Sequence, residues 1–143
     1  MNEWGNEGRS IPRLLTCLLC EDAALSLGVN DRRLTVQRII FDVEADRFPA
    51  VCDRMVAVTI WRGEDGACRE TVRIVAPDGT VVAWADVELV TSSEMVSNTQ
   101  LFNFPTVELP QAGEYAVEVL VNDAVVHSHP LLAVEKGAER ADQ

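Results

Sequence analysis

Short apolar runs, most with a two-residue period and divided by turn-forming clusters, organise this chain from end to end. Side chains alternate across a strand, so that period marks half-buried β-structure, and no stretch holds the 3.6-residue period of a helix. Leu14-Leu15-Thr16-Cys17-Leu18-Leu19-Cys20 predicts a buried first strand closed by a polar turn at Glu21-Asp22. Leu34-Thr35-Val36 opens the next. Its apolar phase shifts to Ile39, Phe41 and Val43, which predicts a bulge or bend near Gln37-Arg38, and Phe48-Pro49 breaks the run. Between Met55 and Trp61, Val56, Val58 and Ile60 share one face while Thr59 and Trp61 share the other, and Glu64-Asp65-Gly66 supplies a turn.

The run from Thr71 to Val75 leads into Pro77-Asp78-Gly79-Thr80, where proline presets φ and glycine accepts a positive φ, so a tight hairpin is expected. Val81, Ala83, Ala85, Val87 and Leu89 then face inward, with Asp86 and Glu88 toward water. A polar loop over Thr91 to Asn98 precedes a strand carrying Leu101, Phe102 and Phe104, interrupted by Pro105. Tyr115, Val117, Val119 and Val121 alternate along the following strand, and Asn122-Asp123 suits a two-residue hairpin into Val125 to Val134. Leu-Pro-x-x-Gly-x-Tyr, ending at Tyr115, has the spacing of a tyrosine corner, whose hydroxyl bonds nearby backbone.

Seven or eight such strands predict an all-β, antiparallel, immunoglobulin-like sandwich over residues 14–135, with polar tails at 1–13 and 136–143. Val56, Val58, Ile60, Val87, Leu89, Tyr115, Val117 and Val119 are its expected core.

Leu18-Leu19-Cys20-Glu21-Asp22-Ala23, Phe48-Pro49-Ala50-Val51, Asn98-Thr99-Gln100-Leu101-Phe102-Asn103, Gly113-Glu114-Tyr115 and Val119-Leu120-Val121-Asn122-Asp123 together resemble a family of small uncharacterised bacterial proteins, the domain of unknown function numbered 6941. The resemblance covers residues 14–134 and implies a β-sandwich with no known activity. The family usually has Ala-Asp in the first motif and a glycine in the last hairpin, where this chain has Cys20-Glu21-Asp22 and Asn122-Asp123.

At 143 residues, 48% of them hydrophobic and 24% charged, the chain can bury an ordinary core. A formal net charge of −11 repels phosphate backbones and anionic lipid, so neither nucleic acid nor membrane is an expected partner. Met1 to Arg13 lacks the apolar region of a signal peptide, which points to the cytoplasm and to reduced thiols.

Candidate chemistry is sparse. Cys17 and Cys20 have C-x-x-C spacing, but in a strand residues three apart face opposite ways, so the four cysteines are expected to be free and buried. His127 and His129 lie two apart on a strand with both rings on one face, as a metal pair requires. No third ligand is identifiable, however, and Pro130 suggests an exposed edge. Asp42, Glu44 and Asp46 offer three carboxylates on one face, most simply a solvated face opposite Phe41, Val43 and Ala45. No catalytic constellation or nucleotide cradle is visible, so no enzyme, metal or cofactor is expected. Trp61 and Trp84 occupy the face opposite their strands' most apolar sets and, with Trp4, offer flat rings for a sugar platform; the favoured expectation is an interaction surface at Trp61 and Trp84. The functional expectation is a non-enzymatic protein-interaction or assembly module, with an unknown protein partner or a homo-oligomer. A binder of carbohydrate or calcium is the alternative, and an unrecognised hydrolase comes third.

Overall fold

The computed structural model describes residues 11–28 and 31–137. The predicted Trp4 and most of both predicted tails lie outside them. Eleven strands follow one another without a helix among the described residues: β1 Arg13–Gly28, β2 Asp31–Ile39, β3 Asp42–Ala45, β4 Ala50–Cys52, β5 Met55–Arg62, β6 Gly66–Val75, β7 Val81–Thr91, β8 Asn98–Phe104, β9 Val107–Leu109, β10 Gly113–Val121 and β11 Ala124–Glu135. Two sheets face each other, one ordered β2-β1-β5-β8 and the other β3-β11-β10-β6-β7, and β4-β9 form a small separate ribbon. All pairs are antiparallel except β3 with β11. The all-β sandwich is thus the architecture that the alternating pattern predicts.

Several turns form as their residues require. Asn122 and Asp123 take φ of 48° and 72°, the double positive φ of a two-residue hairpin turn, and Asn122 also accepts a hydrogen bond from the Arg69 amide at 2.9 Å. Gly79 has φ 93°, and the Ala76 amide donates to the Thr80 carbonyl at 2.7 Å. Tyr115 is fully buried; its hydroxyl donates to the Gln111 carbonyl at 2.7 Å and accepts from the Gln111 amide at 3.2 Å, completing the tyrosine corner. Arg38, at φ 61°, is the local distortion foreseen near Gln37-Arg38, after which the chain crosses from one sheet to the other at β3.

Two expectations are corrected. Glu21-Asp22 is not a turn, because β1 continues to Gly28 and serves two partners in succession: Arg13 to Cys20 pair with β5, and Cys20 to Gly28 pair with β2. This β1–β2 extension brings Ala23, Leu34 and Val36 against Cys20, Val56 and Val58, so the outer side of β5 is covered as well as its inner side. The second correction concerns phase. Val56 and Val58 are buried, but beneath that extension, while Met55, Ala57 and Trp61 fill the inter-sheet core with Leu19, Val72, Ile74, Phe102, Phe104, Leu109, Tyr115, Val117 and Val119. Ile60 is half-buried, and Val87, on the end strand of its sheet, stays 37% exposed.

Candidate functional site

Two places in the sandwich depart from ordinary core or surface. The first is the β7 edge. β7 ends the five-stranded sheet and pairs only with β6, leaving the backbone groups of its other side without a ladder. Along it Val81, Trp84, Val87 and Val90 are 42%, 62%, 37% and 51% exposed. Trp84 stands opposite Arg73, on the outer face where Arg73 pairs with Glu118 at 2.7 Å and Arg69 pairs with Asp86. The other sheet ends are defended differently. β2 carries Arg32, Arg33, Gln37 and Arg38, all exposed, β3 is four residues long with exposed Asp42 and Glu44, and β8, uncharged, lies beside the far end of β7, where the Asn98 side-chain amide donates to the Val90 carbonyl. Asp46 follows β3, also exposed, so the three acids form a solvated face and gather with no His, Cys or further acid into a metal-sized cluster among the described residues.

Trp61 does not join Trp84. It is fully buried between the sheets, on the inward phase of β5, so the expected paired aromatic surface is corrected to Trp84 alone. The same correction removes a two-ring sugar platform built from these residues.

The second place is a polar cluster inside the sandwich. Opposed residues in a ladder share a face. His127 pairs with fully buried Val119 and His129 with fully buried Val117, so both rings point between the sheets and not to water as Pro130 had suggested. From the facing sheet comes Cys17, paired with Thr59 and packed against the inter-sheet core. The Cys17 thiol and one ring nitrogen from each histidine all lie within 4.8 Å of one another, and His127 Nε2 is 2.9 Å from His129 Nδ1. All three side chains are only partly buried. The cause is topological: β2 pairs with β1 only from Cys20 onward, and β3 pairs with β11 only from Leu132 onward, so both sheets lack their outer strand beside Cys17, His127 and His129.

Cys20, three residues from Cys17, points the opposite way and donates to the Val56 carbonyl at 3.5 Å, as strand alternation requires; all four cysteines are free.

Deeper in the same interior lies Glu70, on the inward phase of β6 and fully buried. Burial raises its carboxyl to about 7, against smaller lowering influences from Thr59 and Trp61. Neither neighbour attains hydrogen-bond geometry: Thr59 Oγ1, Trp61 Nε1 and both Glu70 oxygens are buried without a hydrogen-bond partner. Desolvation therefore outweighs the help these groups give. Burial first, and then the Glu70 charge, pushes the Cys17 thiol up to about 12. His129 is lowered by burial and by its neighbour His127, which favours the neutral ring. Sequence reasoning missed Glu70 because Arg69-Glu70-Thr71-Val72-Arg73 resembles a charged surface strand, and it missed Cys17 as a companion of the histidines because only tertiary structure joins them.

No curated protein matches the chain. Among solved structures it is similar to an immunoglobulin-like protein from Pseudomonas aeruginosa, at 12% identity and a TM-score of 0.43 over 89% of this chain and 99% of that one. The family of unknown function DUF6941 matches residues 15–134, which include all but the outermost residues of the sandwich and every residue of both places described above. The chain belongs to the DUF6941 family.

Proposed function

We propose that this domain is a non-enzymatic interaction module that receives an extended segment of another protein along the β7 edge. One observation carries the reading: β7 is an eleven-residue end strand with four exposed large apolar side chains and no charged residue among Val81 to Ala85. Natural sheets shorten, charge or cover such edges, and β2 and β3 follow that practice while the Val81 to Ala85 half of β7 does not. An added strand would satisfy the unpaired backbone groups, with apolar side chains meeting Trp84 and Val87.

Charge favours a foreign partner over a second copy. Antiparallel pairing of β7 with itself centred on Val87 would set Asp86 of each chain opposite Glu88 of the other, each chain carrying a formal charge of −11. The expected segment therefore alternates apolar with basic residues.

A photo-crosslinking amino acid placed at position 84 or 87 in cells tests this. The expected result is a covalent adduct with a discrete partner that is absent when the probe sits at position 46 beyond β3. Equal crosslinking at all three positions, or none, would overturn the reading; an adduct of two identical chains would replace the foreign partner with self-assembly.

A further inference from the structure

Cys17, His127 and His129 combine properties that none has alone. Two imidazoles at i and i+2 on β11 and a thiol from β1 converge from different sheets, beside a gap where both sheets lack their outer strands. One sulfur and two nitrogen donors are the ligand types of a borderline transition-metal ion, whereas calcium and magnesium take oxygen. Around zinc at ~2.0–2.3 Å from each ligand, donor atoms stand about 3.3–3.8 Å apart. Donors already within 4.8 Å of one another stand within about 1.5 Å of that spacing. The 2.9 Å approach of His127 Nε2 to His129 Nδ1 fixes the two rings toward each other before any ion arrives.

Glu70 is the second, independent observation. It is a fully buried carboxyl in the same interior, and neither of its oxygens has a hydrogen-bond partner. An unpaired carboxylate in such a place lacks a countercharge, and a divalent cation held at Cys17 supplies one.

We propose that Cys17, His127 and His129 form a three-ligand binding site for zinc(II), with Glu70 as a carboxylate behind the ligands and a fourth position open toward the gap between the sheets. Binding forms one Zn–S and two Zn–N bonds. Cys17 gives its Sγ proton to solvent, both imidazoles coordinate in the neutral form, and no electron is transferred. The three ligands lie on β1 and β11, away from β7, so the site does not rest on the interaction reading. It also stands in place of the expectation of no metal, which rests on cysteines read as strand residues and on an edge histidine pair without an identifiable third ligand.

The test uses the full chain, stripped with chelator and reduced, and titrated with cobalt(II) as a coloured substitute for zinc. The expected result is one equivalent of tetrahedral cobalt absorption with a thiolate-to-metal charge-transfer band, displaced by stoichiometric zinc. Cys17→Ser should abolish the charge-transfer band, His129→Ala should weaken zinc binding further than Glu70→Gln does, and Cys52→Ser should leave the spectrum unchanged. Glu70 is not hydrogen-bonded to a ligand, so Glu70→Gln removes only its charge and should weaken zinc binding by less than loss of any ligand. Wild-type protein that binds no cobalt, or binds it without a thiolate band, overturns the proposal whether or not any variant folds. A band that survives in folded Cys17→Ser overturns the assignment of Cys17.

Discussion

Replacing Glu70 by glutamine should make this protein more stable at alkaline pH and leave it nearly unchanged in acid. The carboxyl is fully buried, and burial raises it from an ordinary 4.5 to about 7. Below pH 4.5 both the folded and the unfolded chain hold the proton, so Glu70 contributes no pH-dependent penalty. As pH rises from 4.5 toward 7, the unfolded chain releases its proton while the folded chain retains it. That release favours unfolding, and stability falls across this window. Above about pH 7 the folded chain must also carry the buried charge, and the full penalty stands. A displacement from 4.5 to about 7 corresponds to about 3 kcal/mol. Glutamine has nearly the same shape and never ionises, so its advantage should grow from near zero at pH 4 to about 3 kcal/mol at pH 8.

Urea unfolding of wild type and Glu70→Gln side by side, in chelator to keep both metal-free, measures that difference at each pH. Comparing the two chains at one pH cancels the many other carboxylates of a chain with 23 acidic residues. A stability difference that stays constant from pH 4 to pH 8 would refute the reasoning. So would a Glu70 carboxyl that titrates near 4.5 by carbon-13 NMR in the folded protein, because burial would then impose no cost.

Other substitutions test the packing. Trp61→Ala should cost about 3–5 kcal/mol by opening a cavity between the sheets, whereas Trp84→Ala, on the exposed β7 edge, should change stability by less than about 0.5 kcal/mol; urea midpoints separate the two. Tyr115→Phe removes both hydroxyl bonds to Gln111 and should cost about 1–2 kcal/mol, read by chemical denaturation with an unchanged m-value. Gly113→Ala should cost about 1–3 kcal/mol, because φ there is 142° and a Cβ would stand 2.8 Å from Pro77 Cγ; thermal unfolding checks it.

The elements legible in the sequence are those fixed by local chemistry. Asn122-Asp123, Pro77-Asp78-Gly79-Thr80 and the Leu-Pro-x-x-Gly-x-Tyr spacing each dictate a turn through two or three residues, and each forms. What escapes the sequence is decided by contacts between distant strands. Both phases of β5 are apolar, Met55, Ala57 and Trp61 on one and Val56, Val58 and Ile60 on the other, so alternation alone does not say which faces the second sheet. The covering of Val56 and Val58 by Ala23, Leu34 and Val36 depends on β1 running past Glu21-Asp22, two residues that ordinarily signal its end. Pro130 suggests that β11 is an edge, and beside His127 and His129 it is one, but the ladder phase set by Val117 and Val119 still turns the rings inward.

Thr59 sits where the two levels meet, since it faces the same interior as Cys17, its ladder partner, and as Glu70. Its hydroxyl is buried without a hydrogen-bond partner, and an unsatisfied hydroxyl in a core costs about 1–3 kcal/mol. Thr59→Val removes that cost at nearly equal volume, which on packing grounds alone predicts a neutral or more stable protein. Thr59 is also the first of the two neighbours that hold the Glu70 carboxyl down against burial. Removing it should therefore raise the Glu70 pKa above about 7, so that more of the buried acid is protonated at neutral pH. The two effects separate by measurement: urea unfolding at pH 4, where Glu70 is protonated in both chains, isolates the hydroxyl, and carbon-13 NMR titration of Glu70 isolates the electrostatics. A pKa that does not rise would show that Thr59 gives the carboxylate no support. The carboxyl would then be held in the core by burial and Trp61 alone, and the row joining Cys17 to Glu70 through Thr59 would be a neighbourhood without coupling.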